Sequence, residues 1–181
     1  IADLKANPGK RSFASSGIGN SDHMAGELFL SLTNTQAIHV PYKGGAPAAT
    51  DVLGGQIDFY FAGMPVGLPL YKGDKARALA VTSKNRFSGA PELMTIQEAG
   101  VKGYEMALWQ GMFVPAGTPQ NIVKALNNST LKILETPEMK ERFQKAGVQI
   151  APMDTKQFSE LYFSDIARWK VVMEKAKIKL D

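Results

Sequence analysis

The sequence has 181 residues, 44% of them hydrophobic and 21% charged, with no cysteine and a formal net charge of +4. That composition excludes a disordered or collagen-like chain, disulfides, thiolate metal sites and a cysteine nucleophile. No apolar run approaches the roughly 20 residues that a membrane-spanning helix needs, and a pI near 9.2 is too mild a basicity to point to nucleic acid.

The opening IADLKANPGK has neither an initiator Met nor a charged-then-apolar leader. It reads as the inside of a helix ending at Asn7-Pro8-Gly9, and so as the start of a processed or truncated chain. Lys10–Ser15 is strand-like, and Ser16-Gly17-Ile18-Gly19 is a flexible loop. Asn20 or Ser21 then caps a helix that buries Met24, Leu28, Phe29 and Leu32 at helical spacing. Ala37–Tyr42 is a second strand. Pro47 lies in the first turn of the next helix, which buries Ala49, Val52 and Leu53 and stops at Gly54-Gly55. An apolar, aromatic strand over Gln56–Ala62 follows, then a short helix around Val66–Leu70. Ala78–Thr82 is another strand, Thr95–Ala99 a helical turn closed by Gly100, and Glu105–Val114 a long strand-like run.

From Pro115-Ala116-Gly117-Thr118-Pro119 onward the pattern is helical: Asn121–Leu134, Glu138–Ala146 and Thr155–Lys177, with one short strand near Val148–Ile150. Strands alternating with helices predict α/β architecture with a mainly parallel sheet. The shift in composition at Val114–Pro119 predicts a lobe boundary. The densest basic cluster, Lys170, Lys175, Lys177 and Lys179, reads as the solvated face of the last helix.

Two stretches could carry chemistry. SSGIGNSDH, residues 15–23, sets two hydroxyls and two glycines between a strand and a helix start. Unpaired backbone N–H groups and the helix dipole make such a start suited to an anion. Its spacing is not G-x-G-x-x-G, because Asp22 stands where the third glycine would be, and an acidic residue there argues against a bulky pyrophosphate. A tight βα turn capped by Asn20 or Ser21 is an equally open reading. The second stretch, Tyr42-Lys43-Gly44-Gly45-Ala46, repeats the architecture. Ligands in open α/β sheets sit at the carboxyl ends of strands, so both loops could line one crevice around a small carboxylate. Gly44-Gly45 would open the backbone to the ligand, and Gly54-Gly55 would only end the helix.

An enzymatic alternative is a hydrolase using Ser15 or Ser16 with His23 as base. It lacks a G-x-S-x-G elbow and a third, orienting group. His23 could touch a ligand or prop the loop, whereas His39, in a strand, reads as structural. Two histidines without clustered carboxylates give no metal site, and no cofactor is expected.

SSGIGNSDHMAGELF, HVPYKGGAPAATDVLGGQIDFYFAG, RALAVTSKNR, PELMTIQEAG and WQGMFVPAGTPQNIVKALN, in that order, resemble the substrate-binding proteins of tripartite tricarboxylate transporters, the Bug-type periplasmic receptors. The series spans nearly the whole chain. The resemblance implies a periplasmic-binding-protein-like, type II Venus-flytrap α/β fold that captures a small organic anion without catalysis. The guest would pass to membrane permease subunits, in the periplasm, with no role for nucleic acid. It implies ligand contacts at Ser15, Ser16, Gly17, Gly19, Asn20, Ser21 and His23 in the first loop and at Tyr42, Lys43, Gly44, Gly45 and Ala46 in the second, with Phe61 and Ala62 walling the cleft. It further implies that residues 1–112 form a complete ligand-binding lobe and 113–181 the returning, incomplete part of the other. The family's N-terminal stretch, with its own glycine-rich loop, is expected to be missing.

Overall fold

The computed structural model describes residues 1–176 and 178. Of the lysine cluster, Lys177 and Lys179 lie outside the described residues. The chain divides into two compact units, Ile1–Leu108 with the segment from Lys170 on, and Trp109–Trp169.

The first unit opens with α1 (Ala2–Ala6) and continues β1 (Ser12–Ser15), α2 (Ser21–Thr33), β2 (Ile38–Pro41), α3 (Gly45–Leu53), β3 (Phe59–Tyr60) and α4 (Met64–Lys72). The three strands form one parallel sheet in the order β2-β1-β3. Register aligns Phe13 with His39 and Phe59, and Ala14 with Val40 and Tyr60. Alternation along β1 then sorts the core. Phe13 packs with Leu4, Leu30, Phe29 and Phe59 on the α2 face, and Ala14 packs with Ala48, Ile57, Val52 and Tyr60 on the α3 face. α2 and α3 therefore cover opposite faces of the sheet. Both nevertheless start at its carboxyl edge, which makes β1 the point where the chain direction switches.

Several expected elements are shorter or absent. The Gln56–Ala62 strand is only Phe59–Tyr60, because the N–H groups of Gln56 and Ile57 turn back to the Asp51 carbonyl at 2.9 and 3.4 Å. Ala78–Thr82 contributes a single bridge, Val81 to Thr95. Glu105–Val114 and Val148–Ile150 form no strand among the described residues. A strand is a pairing and not a property of one segment, and these apolar runs find no ladder. α4 is longer than expected and tolerates Pro69 inside it. Leu32 and Leu53, read as buried, are each 43% exposed, whereas Met24 and Leu28 are buried as expected and Leu30 of α2 joins them in the core.

The second unit holds α5 (Gln120–Glu135), α6 (Pro137–Lys145) and most of α7 (Thr155–Ala176). The Thr136 hydroxyl caps α6 at the Met139 N–H. An aromatic cluster of Trp109, Phe113, Phe158 and Tyr162 joins the start of the unit to α7, and the Trp109 indole N–H donates to Asp165 at 2.6 Å. No helix among the described residues is long and apolar enough to cross a membrane.

Candidate functional site

The parallel pairing of β1 and β2 sets the two glycine loops side by side at the carboxyl edge. Tyr42 N–H donates to Ser15 O at 2.9 Å and Gly44 N–H to Ser16 O at 3.1 Å, so the loops are joined beyond the last ladder pair. Gly17 (φ +151°) and Gly44 (φ +114°) hold backbone conformations that L side chains rarely adopt. At Gly17 a Cβ would also press on the Asn20 amide, 3.0 Å away.

The two helix starts differ. At α2 the protein's own side chains take up much of the donor capacity. Asp22, only 6% exposed, accepts Ser16 N–H at 2.6 Å and the Tyr60 hydroxyl at 3.0 Å through Oδ2, and His23 N–H at 2.9 Å through Oδ1. His23 accepts the Gly19 N–H through Nδ1 at 3.0 Å. His23 is buried and props the loop from behind. Asn20 caps no amide with its side chain and instead donates to the Ser16 hydroxyl at 3.1 Å, while Ser21 begins the helix.

At α3 the first turn is bare. Among the described residues Gly45 and Ala46 N–H have no backbone acceptor, Pro47 has no N–H, and no acidic residue lies in that turn. Lys43 and Ala46 are exposed beside it. A Cβ on Gly45 would stand 3.1 Å from the Tyr60 hydroxyl, so glycine lets that phenol reach the helix start. The Tyr42 hydroxyl donates to Asp51 at 2.6 Å and pins the strand end to α3. Phe61 turns into the α2 face against Phe29 and Tyr104, and Ala62 packs beneath Gly67 of α4.

The histidine that meets a serine is His39 and not His23. Its Nε2 lies 2.6 Å from Ser15 Oγ, and its ring stacks on His23 at 3.8 Å and on Phe13 at 4.9 Å. Burial first, and the neighbouring His23 second, push His39 down to about 4. Ser15 is fully buried and can give its proton to Gly17 O at 3.1 Å. In that arrangement His39 donates to Ser15 instead of acting as its base. The pair is a strut between β1 and β2, and no substrate can reach its hydroxyl. No group of three or more metal-ligating side chains occurs among the described residues.

Residues 1–178 match the model of the tripartite tricarboxylate transporter family receptor. The chain belongs to that family. It is 31% identical over 180 residues to protein BugT of Bordetella pertussis, covering 99% of this chain and 55% of that protein. Among solved structures it resembles Rpa4515 of R. palustris with adipate (TM-score 0.86, 31% identity, 98% of this chain and 59% of that one). It also resembles MatC of Rhodopseudomonas palustris with bound malate (TM-score 0.76, 25% identity, 94% and 59%). The chain thus spans about half the length of the curated relatives it matches. Transporter receptors of this family are substrate-binding proteins and not enzymes, and the small parallel sheet flanked by helices is a part of their periplasmic-binding-protein fold.

The sequence allowed His23 a role in propping the first loop, but it did not show that Asp22 and Tyr60 hold that loop. Asp22 was legible as an acidic residue two places into a helix, where it meets the positive dipole end. Its partners Ser16 and Tyr60 needed the sheet order to be known.

Proposed function

We propose that the chain is part of a periplasmic receptor that captures a small organic carboxylate and delivers it to the permease subunits of a tripartite transporter. The observation that carries this reading is the Gly44 N–H to Ser16 O hydrogen bond at 3.1 Å, which brings the bare start of α3 beside the hydroxyl-bearing first loop. One carboxylate oxygen pair of the guest sits on the Gly45 and Ala46 amides, with the α3 dipole and Lys43 favouring its charge. Ser16, Gly17, Asn20 and Ser21 face the guest's polar groups from the other loop. Ser15, Gly19, His23 and Tyr42 keep both loops in shape, and Phe61 and Ala62 close the floor at the end of β3. Adipate and malate in the related receptors set the class of acid to try first. Residues 1–112 are assigned to the ligand-binding lobe, and 113–181 to the returning part of the other.

Thermal melts with adipate, malate, succinate and citrate, and with adipamide as the neutral control, test this. A guest at a hundred times its Kd stabilises by about 2.7 kcal/mol, which at roughly 2–4 °C per kcal/mol is a rise of several degrees. At least one acid raises the melting temperature and adipamide does not. Ala46→Pro, which deletes one donor where proline is tolerated, weakens that acid about tenfold. A panel of acids that all leave the melt unmoved overturns the reading.

A further inference from the structure

The proposed site rests on two helix starts, and one of them already holds an anion of its own. Asp22 is buried, and among the described residues its carboxylate accepts from three donors: Ser16 N–H, His23 N–H and the Tyr60 hydroxyl. Burial first, and Asp22 second, push the Tyr60 phenol up, so Tyr60 stays protonated and its hydroxyl points at the carboxylate. The same phenol oxygen lies against Gly45, at the open α3 start. A single oxygen therefore separates the Asp22 carboxylate from the backbone that receives the guest. Ser16 links the two sides again, with its N–H on Asp22 and its carbonyl on Gly44.

Building on the carboxylate-receptor reading, we infer that Asp22 is a specificity-determining residue: its fixed negative charge limits the captured end of the guest to a single anionic group. At the bare α3 start one carboxylate is welcome. A second anionic group on the same carbon would lie toward the first loop, where the amides are already engaged and a like charge waits in a low-dielectric setting. Neutral hydroxyls of a guest are tolerated there, because Ser16, Asn20 and Ser21 offer uncharged polar groups. Asp22 needs no contact with the guest for this effect, since Coulomb repulsion acts through the intervening phenol. The arrangement selects by excluding the wrong charge as well as by binding the right one.

Two matched pairs of acids measure the effect: propionate against methylmalonate, and adipate against butane-1,1,4-tricarboxylate. Each pair differs by one carboxylate on the carbon next to the captured head. Calorimetric titration gives the ratio of Kd values for wild type and for Asp22→Asn, which keeps a carbonyl oxygen for the Ser16 N–H and the Tyr60 hydroxyl. The ratio moves about tenfold toward the more highly charged acid in Asp22→Asn. Tyr60→Phe, which removes the bridging hydroxyl and keeps the charge, weakens both members of a pair alike. In the wild type, discrimination within a pair relaxes between 20 mM and 500 mM salt, a response that lost packing would not produce and that needs no variant to fold. Kd ratios that stay the same in Asp22→Asn and with salt, while acids still bind, overturn this inference and leave the receptor reading standing. Failure of the wild type to bind any acid removes both.

Discussion

The two compact units are built from equally clear helical and strand-like patterns, yet only one has a core of closely buried side chains. Every buried apolar side chain among the described residues falls between Leu4 and Met106. In the second unit α5 and α6 bury none of their residues, and Ile122, Leu126 and Ile133 of α5 remain exposed along one face. Periodicity makes the helix in both units, because backbone hydrogen bonding is local. Burial requires a second surface, which β1 provides twice over, once on each side. The aromatic cluster around Trp109 is the nearest equivalent in the second unit, and it leaves Phe113 61% exposed.

Truncations at matched aromatic positions give the largest contrast. Phe13→Ala empties the fully buried centre of the sheet and costs about 3–5 kcal/mol in urea denaturation, whereas Phe163→Ala in the second unit changes stability by less than about 0.5 kcal/mol. Equal losses at the two positions would erase the distinction between the units. Adding a methyl group sharpens it. A Cβ on Gly26 runs into the Phe13 ring, which has nowhere to go, and Gly26→Ala costs about 1–3 kcal/mol. A Cβ on Gly111 meets the Phe158 ring, which is only half-buried, so Gly111→Ala costs less than Gly26→Ala, about 1 kcal/mol, in the same denaturation series.

A third contrast concerns protons. His39 is held neutral, lowered from 6.5 to about 4, so its contribution is fully present above pH 6.5 and is lost as pH falls through 4. With solvent screening at this half-buried ring, the wild type loses about 1–2 kcal/mol more than His39→Gln between pH 7 and pH 4. Paired denaturation curves at the two pH values check it, and parallel pH dependence of the two proteins would show that the ring does not couple to folding.

Much of the first unit was legible because its signals are local. The Asn20 and Gly54-Gly55 boundaries and the β1–α2–β2–α3 order are readable from caps and alternation alone. What escaped was whatever depends on a distant partner. Glu105–Val114 carries strand composition, but a strand needs a repeated ladder, and among the described residues the Met106 N–H meets Thr82 O at 2.8 Å without one forming. Leu53 sits at helical spacing with Ala49 and Val52, yet the sheet of short strands is too narrow to cover it. In the candidate site both glycine loops could be read from the sequence. The Ser15–His39 strut could not, because 24 residues separate its members and only the parallel register of β1 and β2 brings them together.

The strand order has a kinetic consequence. β1 lies in the middle and comes first in the chain, and both neighbours run parallel to it, so no hairpin is available to start the sheet. Phe13 must wait for Phe59, 46 positions downstream, with two helices in between. Chain closure over such distances is slow, and the first unit folds more slowly than a helical bundle of the same length. The two glycine loops meet once the first crossover pairs β2 with β1, whereas the Tyr60 hydroxyl reaches Asp22 only when the second crossover is complete.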